Sequence, residues 1–148
     1  LLRALSAARP PAELGALLWN LSQAPEGREA LLERSGSVVR RMLALVRWPE
    51  AEMRRGVVGA LRNCCFQHEI HEWLLGPEID ALPFLLLPLA GPEELPEEEM
   101  EQLPVDLQYL PAEHQREEEP GTRKMLLETL MLVLIGDEPE AGMENLLE

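Results

Sequence analysis

A self-similarity at a spacing of 43 residues constrains this chain more than any other feature. The segments GALLWNLSQAPEGREALLE, from Gly15, and GALRNCCFQHEIHEWLLG, from Gly59, correspond under a shift of 43 positions, which lays Ala16 on Gly59. Leu18 then falls on Leu61, Asn20 on Asn63, Glu26 on Glu69, Glu29 on Glu72, and Leu31 and Leu32 on Leu74 and Leu75. Further along, Val39, Met42 and Leu43 meet Leu82, Leu85 and Leu86. HEAT and armadillo units have periods of this size. Such a unit cannot bury its apolar face alone and must stack on a neighbour. The composition agrees, with abundant Leu and only 4% aromatic residues. No apolar/polar alternation of the kind a half-buried strand needs is sustained.

The punctuation places the helices. Pro10 and Pro11 precede a helix from about Ala12 to Ser22, Pro being tolerated at a helix start. A short helix follows from about Glu26 to Arg34 and stops near Gly36; Ser37 is placed to cap the next, from about Val38 to Trp48. Pro49 opens a long helix over about Glu50 to Phe66, with Met53, Val57, Leu61 and Cys64 as its apolar stripe. A second unit restarts near Glu69 to Leu75. Short, medium, long is the armadillo order, and the break at Ser35-Gly36 favours it over a two-helix HEAT unit. The expected fold is all-α: an armadillo/HEAT-like, right-handed helical solenoid with an acidic irregular connector. Residues 1–90 hold the repeats, 91–121 the acidic, Pro-rich connector, and 122–148 a C-terminal helix and tail. That helix starts at Gly121-Thr122 and stops at Gly136, leaving a loop and a last turn. Within the connector, Val105, Leu107, Tyr109 and Leu110 are candidates for packing.

Charge divides the chain. Residues 1–75 carry ten Arg against eight Glu, whereas residues 76–148 carry three basic residues against nineteen acids, within a total of −14. An acidic half repels a phosphate backbone and steers basic protein surfaces, so a protein partner is expected and a nucleic acid is not. The longest apolar stretch, Ala81 to Ala90, is broken by Pro83 and Pro88 and is too short to span a membrane. The adjacent Cys64 and Cys65 imply no disulfide framework and fit a reducing compartment, cytoplasm or nucleus. The opening LLRALSAAR, which reads as a helix end, suggests a piece of a longer chain.

Four residues are candidates for holding a protein partner. Asn20 and Asn63 sit late in the long helices, where a side-chain amide offers both a donor and an acceptor to an extended segment. Arg55 lies two turns before Asn63 and suits an acidic group; Arg54 and Arg62 are on or beside the same helix. Gly59, like Ala16, stands one turn before an Asn, where nuclear-import armadillo proteins carry Trp. A small residue there leaves room for a bulky partner side chain or permits close helix packing, and it argues against a nuclear-localisation receptor. Cys64, Cys65, His68 and His71 suggest zinc, but four ligands within eight helical residues point in too many directions. Buried cysteines and surface histidines are the expectation. HEIH falls one residue short of the metalloprotease spacing, and no nucleophile elbow, phosphate loop or dinucleotide fingerprint occurs. No catalytic site, metal, cofactor or small-molecule substrate is expected. The acids of the connector read as a solvated or partner-facing run.

The stretch LPEEEMEQLPVDLQYLPAEHQREEEPGTRKMLLETLML, from Leu95 to Leu132, resembles the signature of the HGH-one homolog family, once called brain protein 16. LIGDEPEAGMENLLE, from Leu134, resembles a motif near that family's C-terminal end, and the repeats around Asn20 and Asn63 are similar to its armadillo part. The resemblance implies a cytosolic, non-enzymatic folding factor for translation elongation factor 2, working with the cytosolic chaperonin. The alternative is a generic armadillo scaffold for extended peptides. In one respect the chain departs from the family pattern: roughly one more repeat is expected between LETLML and VLIGDE, which here join at Leu132-Val133.

Overall fold

A computed structural model of the chain describes residues 1–91 and 95–136, all helix, turn or loop, with no strand among them. Pro92, Glu93 and Glu94 of the acidic run, and the loop and turn expected after Gly136, lie outside the described residues.

A short helix α1 (Leu2–Ser6) precedes α2 (Leu14–Ser22), α3 (Pro25–Leu31), α4 (Ser37–Ala44) and α5 (Ala51–Cys64). Then come α6 (His71–Leu75) and α7 (Ala81–Leu86), two single-turn helices α8 (Glu97–Met100) and α9 (Val105–Gln108), and α10 (Pro120–Ile135). The order short, medium, long occurs twice: α3, α4, α5 and then α6, α7, α10. In both units the medium helix ends in a 3-10 turn, Leu45–Arg47 and Leu87–Leu89. In both it starts from a left-handed residue, Gly36 (φ 74°) and Asp80 (φ 51°). Gly takes that conformation without strain, and Asp is among the few side chains that tolerate it. The second unit differs in that the acidic segment separates its medium helix from its long one.

The local chemistry departs from the sequence reading in places. Ser37 does not cap α4; it is the first helical residue, after Gly36. The free amides are met from the preceding turn, with the Ser37 N–H donating to Ser35 Oγ and the Val38 N–H to Glu33 Oε1. The expected helix to Trp48 ends as α-helix at Ala44, and the long helix runs from Ala51 to Cys64. α10 starts two residues earlier than Thr122, with Pro120 in its first turn, where a missing N–H costs nothing. The connector is not wholly irregular: α8 and α9 interrupt it. Of its apolar residues Leu107 is buried, whereas Val105 and Tyr109 are 71% and 82% exposed.

The long helices form a row. Gly15 of α2 lies against Met53 and Gly56 of α5, Trp19 against Gly59, and Ser22 against Asn63. These contacts advance in the same direction along both helices, so α2 and α5 run parallel. α10 packs on α5 as well. The consequence is written into α5, where Met53, Val57, Val58, Ala60, Leu61 and Cys64 are all buried. With Leu18, Leu31, Met42, Leu43, Leu126 and Leu132 they form one continuous core. Each fully buried Leu, Val or Met side chain stabilises the fold by about 2 kcal/mol in transfer free energy.

Candidate protein-binding face

The two asparagines do not play one role. Asn63 is turned onto α2: its Nδ2 donates to Ser22 Oγ at 2.9 Å. Ser22 is itself fully buried and donates to the Trp19 carbonyl at 2.6 Å, while its own carbonyl accepts from Arg28 Nη1 at 2.9 Å. Asn63 therefore ties α2 to α5. Asn20 is exposed, and among the described residues its side chain has no hydrogen-bond partner.

Gly59 does not hold open room for a partner. A Cβ there would come within 2.8–3.0 Å of the Trp19 ring. Trp19 of the same chain, half-buried, already fills the place that a partner side chain would take. Ala16, its counterpart one repeat earlier, is exposed.

Arg54, Arg55 and Arg62 separate by helical angle. Arg55 is exposed and, among the described residues, forms no ion pair or hydrogen bond through its side chain. Arg62, two turns on, reaches α10: Nε meets Glu128 Oε2 at 2.8 Å, and the guanidinium lies 5.3 Å from the exposed Phe66 ring. Arg55, Gly59 and Arg62 recur at steps of four and three and share one side of α5, and Phe66 follows in the turn just past its end. With Trp19 laid over Gly59, that side presents guanidinium, indole and guanidinium groups in turn, with the phenyl group just beyond. Trp19 and Phe66 were not singled out from the sequence; the signal available was Trp19 beside the repeated Asn20 and Phe66 just past the end of the same helix.

Arg54 points the other way, onto the connector. Its Nε and Nη2 donate to the two carboxylate oxygens of Glu117 at 2.6 and 3.0 Å, and Nη1 donates to the carbonyls of Trp48 and Pro49. Burial raises the Glu117 pKa, but the Arg54 hydrogen bond and the Glu119 N–H outweigh it, so the carboxyl titrates below the ordinary glutamate range. The same pair raises the Arg54 pKa. The Glu117 N–H donates to the Pro88 carbonyl at 2.7 Å. Buried His114 is placed between Arg47 Nη2 (3.1 Å) and the Ala90 carbonyl (2.9 Å). The end of the acidic run is thus a strap fastened to the helices, and Glu117 is an internal residue, not a solvated or partner-facing one. Beside it a cavity of about 360 Å³ is lined by Arg47, Arg54, Arg116, Glu113 and Glu118, charges that largely neutralise one another.

The cysteine–histidine cluster is structural. Cys64 and Cys65 are buried, and burial pushes the Cys64 thiol up to about 12 and raises Cys65 as well, so neither is a ready thiolate. His71 is buried rather than on the surface, with Nε2 2.6 Å from the Cys65 carbonyl; His68 is exposed. Among the described residues no group of three or more His, Cys, Asp and Glu is placed to hold a metal ion. Nor is any described helix long and apolar enough to cross a membrane.

Comparison with known proteins agrees on one family. Residues 12–124 match the family described as "Domain of unknown function (DUF383)". A protein from Homo sapiens named Protein HGH1 homolog is 51% identical over 177 residues, covering 91% of this chain and 45% of its own length. Its namesake from Rattus norvegicus is 49% identical over 185 residues, covering 97% and 47%. That from Drosophila melanogaster is 40% identical over 119 residues, covering 80% and 32%. The chain spans about half the length of the vertebrate relatives it matches.

Proposed function

This chain belongs to the HGH1 homolog family, and on that premise we propose that it is a non-enzymatic, protein-binding folding factor. Its client is translation elongation factor 2, handled together with the cytosolic chaperonin. The resemblance read from residues 95–132 and 134–148 supplies client and chaperonin; the helices supply a means of holding an extended segment. The observation that carries the reading is the parallel row of α2 and α5 with α10 packed beside them. It supports an armadillo-type stack, in which a side of the long helices left uncovered by their own chain is free for a partner. On α5 that side carries Arg55 and Arg62, with Trp19 between them and Phe66 just past the helix end. Arg55 supplies an unengaged charge, and the two aromatic rings supply apolar contact at small entropic cost.

The reading places the chain in the cytosol, where two unpaired buried thiols are stable. It takes a protein rather than a nucleic acid as partner, because the half from residue 76 onward carries nineteen acids.

The test is capture of newly translated elongation factor 2 and chaperonin from eukaryotic cytosol. The chain is compared with an Asn20→Ala/Arg55→Glu variant, both positions being exposed and unengaged. The expected result is capture by the chain and at least a tenfold loss in the variant. Equal capture by both would keep the client and remove the face. Failure of both would overturn the folding role and leave a scaffold for other extended segments.

A further inference from the structure

The acidic run ahead of α10 is pinned at two places. Its end is the strap of His114 and Glu117. Its middle is held by α9, which packs on α7 and buries Leu107. The Gln108 amide donates to the Leu103 carbonyl at 2.9 Å and closes the turn between α8 and α9. Pro96 and Pro104 stand just before the two helices, and Pro111 follows them. Each proline fixes its own φ and keeps the residue before it out of the helical region, so covalent geometry braces the segment as well.

This brace holds two large apolar side chains away from the core. Val105, two residues before Leu107, and Tyr109, two residues after it, are 71% and 82% exposed, the highest values among the large apolar residues described. A single exposed apolar residue means little, but two held about one turn apart on a braced segment make a patch suited to another protein. Around them every charge has one sign. Residues 95–110 hold Glu97, Glu98, Glu99, Glu101 and Asp106 and no basic residue. All five acids are exposed, and among the described residues none enters an ion pair. Their field repels nucleic acids and anionic membranes. It also repels residues 137–148 of the same chain, which hold five acids and no base. It attracts Lys and Arg side chains, to which the Tyr109 ring offers its face as well.

We propose that α8 and α9 form a second docking surface, for a basic segment of another protein. That segment lays an apolar side chain against Val105 and Tyr109 and turns its Lys or Arg residues to the five acids. The surface shares no residue with the Arg55–Trp19 side of α5 and takes partner charge of the opposite sign. The proposal is independent of the client.

Two labelled probes test it by fluorescence anisotropy: a short peptide of alternating Arg and Leu, and one of alternating Arg and Ser. The chain is expected to bind the leucine peptide saturably and one-to-one, roughly tenfold more tightly than the serine peptide. Val105→Ser/Tyr109→Ser is expected to bring the two affinities together. Glu97→Gln/Glu98→Gln/Glu99→Gln/Glu101→Gln is expected to weaken both and to flatten their dependence on salt. Equal affinity for the two peptides in the unaltered chain, or a leucine preference that survives the serine substitutions, would overturn the proposal. So would binding undiminished by loss of the four carboxylates. The serine variant should melt at the temperature of the chain; a lowered value would mean that the pair packs against its own chain, and the surface would fall. Sedimentation showing that the chain self-associates through Val105 and Tyr109 would overturn it too, since a second copy would then be the occupant.

Discussion

The two contacts that α5 makes with its neighbours are built on different physics. Against α2 it is a close approach of backbones: Gly15 and Gly56 meet where neither has room for a side chain, and the one polar tie recorded between the two helices is the Asn63–Ser22 hydrogen bond. Toward α10 and the strap that leads into it, the shared apolar core is joined by long charged side chains, Arg62 to Glu128 and Arg54 to Glu117. The first contact depends on shape, is indifferent to pH, and fails when a methyl group is added. The second tolerates adjustment of side chains and depends on ionisation. One consequence concerns evolution of the row: a contact fixed by two glycines holds its helices in a single register. A contact that includes flexible ion pairs tolerates the 30 residues, 90–119, that lie between the second medium helix with its 3-10 turn and α10, since loop closure grows only slowly costlier with length.

The largest effect that would break this contrast is at Gly56. An alanine Cβ would lie 2.2 Å from the Gly15 carbonyl carbon and oxygen, backbone atoms that cannot swing aside. Gly56→Ala is expected to force α2 and α5 apart and destabilise by about 3 kcal/mol, lowering Tm by roughly 10 °C for a domain of this size. Thermal unfolding followed by circular dichroism checks it. Gly59→Ala is the control, because it meets a half-buried indole that can shift, and it should cost about 1 kcal/mol. Equal losses at the two positions would show that the glycines serve no register.

The next effect sharpens the other side of the comparison. Glu117 has a side chain only 2% exposed and holds Arg54 through both oxygens. Glu117→Gln keeps the shape and removes the charge, and about 2 kcal/mol of stability should be lost at pH 7. The sign with pH follows from the lowered pKa. A carboxyl whose folded pKa lies below its unfolded value contributes stability above the unfolded value, roughly pH 4.3, and loses it as pH falls through the folded one. The difference between the chain and the variant should therefore shrink on acidification from pH 7 to about pH 3. Urea unfolding of both proteins at the two pH values measures it; a difference that stays constant would mean that the pair is not ionised as described.

The same contrast explains what the sequence could disclose. Of the α2–α5 contact the sequence disclosed that the two helices are equivalent and must stack, because Leu18 and Leu61 recur with the repeat; that Gly15 and Gly56 meet was not legible, since the repeat does not pair them. That Gly59 is small because Trp19 lies on it was not legible, since no spacing rule says which of two adjacent residues crosses to the next helix. The strap was less legible still. Glu117 is one of eleven acids between Glu93 and Glu119, and nothing in their order marks the one that turns inward to Arg54, 63 residues earlier. A long-range ion pair has no period, so it escapes pattern reading however strong it is. His71 was misplaced for a related reason: a helix of five residues is too short for an apolar stripe to show which side is inside.

The smallest expected effect decides between structure and function at a single residue. Asn63 occupies the position at which an armadillo-type stack would hold a partner's backbone, but its amide is engaged with Ser22. Removing it should therefore cost stability, not affinity. Asn63→Ala is expected to destabilise by about 1 kcal/mol, the net worth of one such hydrogen bond. In a double-mutant cycle with Ser22→Ala most of that should reappear as coupling, because each single change already breaks the bond. Client capture measured well below the melting temperature should be unchanged by Asn63→Ala and reduced by Arg55→Glu. If instead Asn63→Ala leaves stability intact and abolishes capture, the amide exchanges Ser22 for a partner on binding. The α2–α5 contact would then be a site that opens, rather than the fixed half of the row.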